Sequence, residues 1–115
     1  MGVHVLVAID EPAIRAALAG RLALALRGEA DVADGPLPGG PPETLRSVVV
    51  AGNPSCTPGE AAALVAHGWR VVVVVASAVT SGSEQAYRAA GVSGYLPMDL
   101  DLSPLLEAIR SAASG

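Results

Sequence analysis

The chain contains no lysine and no phenylalanine, and charged residues make up only 16% of its 115 residues. All seven basic residues are arginines, and the formal net charge is −4. A nucleic-acid-binding surface needs clustered positive charge, which this sequence lacks. We therefore expect this acidic chain by itself to bind no DNA.

Cysteine is almost absent as well, because Cys56 is the single one. An internal disulfide is excluded, which fits a reducing cytoplasm. Cys56 lies in a Pro/Gly-rich segment, and neither His4 nor His67 is near it in sequence, so we interpret it as an incidental loop thiol rather than a nucleophile.

Long apolar runs and targeting segments are missing too. The run Val71 to Ala76 is far shorter than the roughly 18 residues of a membrane span. No basic segment precedes the apolar N-terminus, so no signal peptide is predicted. We expect a cytoplasmic protein that does not associate with membranes.

What the sequence does contain is 51% hydrophobic residues, which excludes extensive disorder and fits one domain over residues 1–115. Periodicity predicts strands at about 3–8, 30–34 (weak), 47–51, 70–76 and 93–96. Helices are predicted at about 11–26, from 57 to 67, from 81 to 91 and from 103 onward. The starts of the last three helices are marked by capping boxes at Thr57–Glu60 and Ser81–Glu84 and by a Ser103-Pro104 cap. Gly68 and Gly91 are the expected stops of the second and third of these four helices.

The alternation of strands and helices predicts an α/β fold with a parallel sheet, flavodoxin-like, in the strand order 2-1-3-4-5. The segment GPLPGGPP (residues 35–42) is a loop by composition, and only Glu43 to Arg46 remain for a helix before the third strand. We expect the second helix to be short, displaced or absent. Part of one sheet face is then exposed unless the linker or a second subunit covers it.

Ligands of such sheets bind beyond the carboxyl ends of the strands, where the strand order reverses. Around that point the sequence places six residues, all but the first of them polar or small: Ile9, Asp10, Glu11, Gly52, Asn53 and Ser77. Asp10 is the first acid after the first strand, and its neighbour Ile9 is apolar.

Four segments resemble receiver domains of bacterial response regulators: VLVAIDEPAIRAAL, SVVVAGNPS, VVVVVASA and AAGVSGYLPMDLDLSPLLEAIRSAASG. Together they span the whole chain. The last is similar to the end of NarL/LuxR-type receivers, in which a linker and a helix-turn-helix domain follow. The resemblance implies the flavodoxin-like (CheY-like) fold, and the Lys-free, arginine-rich composition indicates a GC-rich genome such as that of an actinobacterium.

Receivers of this family accept a phosphoryl group on an aspartate, with adjacent acids holding Mg²⁺ and a lysine neutralising charge. In this chain Ile9 stands at the first acidic position, and Asp10 and Glu11 follow it. The phospho-acceptor position is occupied by Gly52; a shift of one residue gives Ala51 or Asn53, neither of them a carboxylate.

The remaining positions of the pattern divide into retained and lost ones. Ser77 matches the hydroxyl position and Tyr95 the switch aromatic, whereas Met98 replaces the lysine. The resemblance thus implies an atypical receiver (pseudo-receiver) of a two-component system, without a phosphorylation site, catalytic residue, metal or cofactor.

Each of these residues also has a purely structural interpretation. Asp10 and Glu11 suit the capping of a helix start as well as a residual Mg²⁺ site. Ser77 fits a loop hydrogen bond or a ligand contact, and Tyr95 fits the core or an interface. Met98 and Ile9 reflect either loss of function or an apolar site for a small molecule or partner.

Three functions remain open at this stage. The first is a phosphorylation-independent regulatory module of a transcription regulator, with a helix-turn-helix domain expected after residue 115 and DNA bound only through it. The second is a small-molecule sensor at the altered acidic pocket. The third, an enzyme, is disfavoured because no G-x-G-x-x-G loop is present. A homodimer is expected through an apolar face formed by Leu22, Leu24, Leu26, Leu105, Leu106 and Ile109.

Overall fold

A computed structural model describes residues 3–42, 46–53, 56–75, 81–97 and 101–114, except for the side chains of Asn53 and residues 81–83. The elements in chain order are β1 (Val3–Ala8), α1 (Pro12–Ala25), β2 (Ala30–Asp34), β3 (Ser47–Asn53), α2 (Pro58–Ala66), β4 (Arg70–Val75), α3 (Ser81–Ala90), β5 (Gly94–Pro97) and α4 (Ser103–Ser114). Their bounds lie close to those predicted from the sequence. Within these ranges no helix combines the length and apolar character that crossing a bilayer requires.

The five strands form one parallel sheet in the order β2-β1-β3-β4-β5, which confirms the predicted flavodoxin-like topology. β1 lies between β2 and β3, so that His4 is paired with Asp31 on one side and Ser47 on the other. At the far end of the same strands Ala8 is paired with Ala51. The residues that follow, Ile9 and Gly52, are therefore neighbours at the carboxyl edge.

Helices pack on both faces of the sheet and produce two separate cores. α1 and α4 cover one face, where they bury alternate strand residues such as Val5, Val7 and Val50. α2 and α3 cover the other face over Val49, Val71 and Val73. The valine runs of β3 and β4 are buried on both sides, as expected for central parallel strands.

The contact face of α1 is narrower than its sequence suggests. Leu18 and Leu22 are buried, as predicted, and Leu26 is buried just beyond the helix end. The helical spacing of Ile14, Ala17, Leu18, Leu22 and Ala25 predicts one apolar stripe, but Ile14 is 48% exposed and Ala17 and Ala25 are exposed as well, so these three do not reach the core. The reason is that one sheet face can cover only part of a helix circumference.

The residues predicted as a dimer face do not form one surface. Four of the six are buried in the core between α1, α4 and the sheet: Leu22, Leu26, Leu105 and Ile109. Leu24 is 74% exposed, and Leu106 is half-buried. Apolar spacing marks both core and interface residues, and here the protein's own sheet buries most of them.

Helix ends follow the local signals in the sequence. The Thr57 hydroxyl accepts the Glu60 N–H at 3.2 Å, and Glu60 Oε1 accepts the Thr57 N–H at 3.0 Å, which confirms the predicted capping box. Gly68 and Gly91 adopt φ values of 104° and 97°, as C-terminal stops require. The start of α4 differs from the prediction, because Asp101 Oδ1 accepts the Ser103 N–H at 3.0 Å.

No helix lies between β2 and β3 in the described residues 35–42. This segment instead crosses the α2 side of the sheet, where Leu37 packs against the second core. The Trp69 Nε1–H donates to the Gly40 carbonyl at 2.8 Å. The Gly/Pro-rich loop therefore partly covers the sheet, as one of the two predicted outcomes stated, and the remaining residues of the connection, 43–45, lie outside the described residues.

Candidate functional site at the carboxyl edge of the sheet

Ile9 and Gly52 meet where β1 and β3 end. Ile9 is only 8% exposed and belongs to the core on the α1 side. Gly52 is buried, and a Cβ atom on it would lie 3.6 Å from Ile9 Cγ1 and 3.8 Å from Ile9 Cγ2. The apolar side chain of Ile9 thus lines the space into which any side chain at position 52 would extend.

The two acids that follow Ile9 face solvent. Asp10 and Glu11 are both exposed. Glu11, and not Asp10, is the N-cap of α1, with its Oε1 accepting the Ala13 N–H at 3.3 Å. The capping role predicted for this pair therefore belongs to Glu11.

A guanidinium lies beside this acidic turn, and the sequence pattern did not single it out. Arg15 Nη1 donates to the carbonyl oxygen of Ile9 at 3.4 Å, and Arg15 Nε lies 3.5 Å from Asp34 Oδ2. Arg15 belongs to the first turn of α1, so the helix brings its cation back over the end of β1. A backbone oxygen at the switch point is consequently engaged by a positive charge.

The residues that the structure describes contain no group of three His, Cys, Asp or Glu side chains that could hold a metal ion. Asp10 and Glu11 are adjacent, but no third carboxylate joins them at Gly52. Ser77, Met98 and the side chain of Asn53 lie outside the described residues. Their predicted places in the pocket stay predictions.

Tyr95 faces the helices of the α2–α3 side. Its ring is half-buried and packs on that of Tyr87, with centroids 5.4 Å apart and planes at 34°. Burial, with a smaller contribution from Glu84, raises the pKa of the Tyr95 hydroxyl. Within the described ranges that buried hydroxyl has no hydrogen-bond partner. Tyr95 therefore combines core packing with a buried polar tip.

Cys56 is a core residue and not the incidental loop thiol that the sequence suggested. Its side chain is fully buried, its N–H donates to the Gly52 carbonyl at 2.8 Å, and its carbonyl accepts the Tyr87 hydroxyl. Burial, with a smaller contribution from Glu60, raises the thiol pKa to about 11. A thiol that stays protonated and inaccessible is a poor nucleophile, which agrees with the non-catalytic interpretation.

No protein-family model and no curated protein sequence matches the chain. Solved structures do match its fold. The crystal structure of FixJ-N aligns with a TM-score of 0.76 at 17% identity, covering 99% of this chain and 95% of that one. A response regulator from Thermotoga maritima aligns with a TM-score of 0.74 at 17% identity over the full length of both chains.

A third matching structure contains a modified residue. A response regulator protein from Burkholderia pseudomallei, solved with a phosphorylated aspartic acid, calcium ion and citrate, aligns with a TM-score of 0.65 at 20% identity. The alignment covers 97% of this chain and 69% of that one. At such low identities these matches establish the fold, which is the one found in response-regulator receiver domains.

Proposed function

We propose that this chain is a regulatory receiver domain that works without aspartyl phosphorylation. It would belong to a transcription regulator of the response-regulator type and bind DNA only through a further, helix-turn-helix domain. The receiver fold supports the regulatory role, and the residues at the carboxyl edge support the loss of phosphorylation. No catalytic activity forms part of this proposal.

The contact between Ile9 and Gly52 is the observation that carries the proposal. Phosphoryl transfer to a protein needs a carboxylate nucleophile and electrostatic stabilisation of the transferred group. Position 52 offers no side chain, and the adjacent apolar Ile9 offers neither charge nor a hydrogen bond. The chain also has no lysine to neutralise the phosphoryl oxygens.

The positive charge of Arg15 is a second reason to expect no phosphorylation at this edge of the sheet. Its guanidinium contacts the Ile9 carbonyl and forms an ion pair with Asp34. A divalent cation at the end of β1 would meet this positive charge, since Asp34 already pairs with Arg15 and the neighbouring Asp10 and Glu11 are exposed. Tight Mg²⁺ binding is therefore not expected.

The test exposes the protein to acetyl phosphate with Mg²⁺, and separately to beryllofluoride with Mg²⁺. We expect an unchanged intact mass and unchanged amide resonances. A receiver domain that has the aspartate and lysine, treated in parallel, shows that the reagents are active. A mass increase of one phosphoryl group, or saturable shifts centred on Asp10, would refute the proposal.

Homodimerisation is the second part of the proposal, and the exposed apolar residues on the outer face of α1 support that face as the dimer surface. Ile14 and Leu24 are the large hydrophobic side chains exposed in the described residues. They lie on one side of the helix, with the exposed Ala17 and Gly20 between them. Such a face, apolar and with small central residues, allows two helices to approach closely.

Light scattering and sedimentation at high micromolar concentration test this surface. We expect a dimer for the native chain and a monomer for Leu24→Glu, because the charge would be buried in the interface. Gln85→Glu on the exposed side of α3 adds the same charge elsewhere and should leave the dimer intact. A native chain that remains monomeric, or a Leu24→Glu dimer, contradicts the proposed face.

A further inference from the structure

The unusual connection between β2 and β3 leaves a cavity on the α2 side of the sheet. The cavity has a volume of about 410 Å³ and lies over the first halves of β1 and β2. Its lining consists of His4, Val5, Leu6, Asp31, Val32, Ala33, Pro41, Ser47 and Trp69. Elsewhere on this face α2 covers β4, but no helix in residues 35–42 does the same for β1 and β2.

The wall of this cavity is held in place by specific contacts. The Trp69 side chain is half-buried, and its Nε1–H donates to the Gly40 carbonyl at 2.8 Å. Leu37 anchors the same loop in the core beneath α2. The loop and the indole therefore enclose the cavity from the side, and Leu6 and Ala33 form an apolar floor.

One end of the floor is polar and acidic. Asp31, His4 and Ser47 are in register on β2, β1 and β3, so their side chains form a row across the sheet. The alternation along β1 directs this row to the α2 side, because Val5 belongs to the opposite core. Among the described residues that line the cavity, Asp31 is the one carboxylate, and none is an arginine or lysine.

We propose that this cavity binds a small organic cation with an aromatic or otherwise apolar body. The volume lies within the range of small-molecule sites, about 300–1,000 Å³. The Asp31 carboxylate attracts the positive group, and the Trp69 indole supplies an aromatic surface in the lining against which an apolar or planar group can pack. This site is separate from the edge formed by Ile9 and Gly52, and it does not depend on whether phosphorylation occurs.

Three molecules of nearly equal shape test the charge preference: benzamidine, benzamide and benzoate. Trp69 is the only tryptophan, so its fluorescence reports on the cavity wall directly. We expect saturable quenching by benzamidine, with a dissociation constant on the order of 1 mM for so small a ligand. Benzamide should bind about tenfold more weakly and benzoate not measurably.

Substitutions test whether the quenching of Trp69 fluorescence arises from benzamidine bound in the cavity. Asp31→Asn should weaken benzamidine binding about tenfold, whereas Glu107→Gln, which removes an exposed acid on α4, should leave it unchanged. Ala33→Leu should fill the floor and abolish the quenching, and Ala86→Leu on the outer side of α3 is its control for bulk. Circular dichroism of each variant checks that it is folded.

The outcomes separate this inference from the alternatives. Equal binding of all three molecules, absence of saturable quenching, or insensitivity to Asp31→Asn overturns the proposal. Trp69 emission that changes with protein concentration, without any response to benzamidine, shows that a second copy of the chain covers the cavity and also overturns it. None of these results bears on the acetyl phosphate test.

Discussion

Ile9 Cγ1 lies 3.6 Å from the position that a Cβ atom on Gly52 would occupy. The distance is an ordinary van der Waals contact, so a methyl group at position 52 would fit against Ile9 without strain. At this edge the apolar side chain that follows β1 lies beside the end of β3, where Gly52 has no side chain. The proposed loss of aspartyl phosphorylation rests on this pair of residues.

Two substitutions at Gly52 have opposite expected effects on stability. Gly52→Ala places a methyl group in contact with Ile9 and reduces the freedom of the unfolded chain, so we expect stabilisation of up to about 1 kcal/mol. Gly52→Asp buries a carboxylate against Ile9 and should destabilise the fold by about 1–3 kcal/mol. Urea unfolding measures both, and a Gly52→Asp protein as stable as Gly52→Ala would contradict the packing described.

Leu22 and Leu24 provide a matched pair on one helix. Leu22 is fully buried and Leu24 is 74% exposed. Leu22→Ala should lower the free energy of unfolding by about 2–5 kcal/mol, because it leaves a cavity in the core. Leu24→Ala should change the monomer's stability by no more than about 0.5 kcal/mol. The measurement is denaturant unfolding at a protein concentration low enough to exclude dimers.

Cys56 should make stability fall with rising pH. The folded thiol has a pKa of about 11, raised from 9.0 by burial. Between these values the unfolded chain loses a proton that the folded chain keeps, so unfolding is favoured by up to about 1.4 kcal/mol per pH unit. The effect is negligible below about pH 8 and is best measured before the tyrosines titrate.

Cys56→Ala is the control for this pH dependence. The variant is expected to be less stable at every pH because it loses core volume, but its stability should decline less steeply than that of the native chain above pH 9. Identical slopes for the two proteins would show that the thiol is not buried as described. Rapid alkylation of native Cys56 at pH 8 would show the same.

Trp69→Phe tests the anchoring of the Gly/Pro-rich loop. The substitution removes the hydrogen bond to the Gly40 carbonyl and part of the ring's packing. We expect the free energy of unfolding to fall by about 1–2 kcal/mol. Denaturant unfolding monitored by circular dichroism measures this change. Faster proteolysis within residues 35–42 should accompany it, and unchanged proteolysis would mean that Trp69 does not hold the loop.

Much of the fold could be predicted because its signals are local. Val3–Ala8, Ser47–Asn53 and Arg70–Val75 are apolar runs of strand length, and Thr57 with Glu60 carries its own capping pattern. The candidate site was predictable in part, since Ile9 and Gly52 follow strands whose order the alternation implies. Arg15 was not singled out, because its contact with the Ile9 carbonyl depends on how α1 packs on the sheet.

The sequence by itself determined the order of strands and helices, their approximate ends and the absence of an aspartate and a lysine at the expected positions, because these depend on residue type and on neighbours along the chain. The tertiary structure decided which leucines of α1 are core and which are surface, that Cys56 is buried, and that Trp69 fastens the loop beside a cavity. Those outcomes depend on contacts between residues far apart in sequence. Periodicity specifies an apolar face, but only packing determines what covers it.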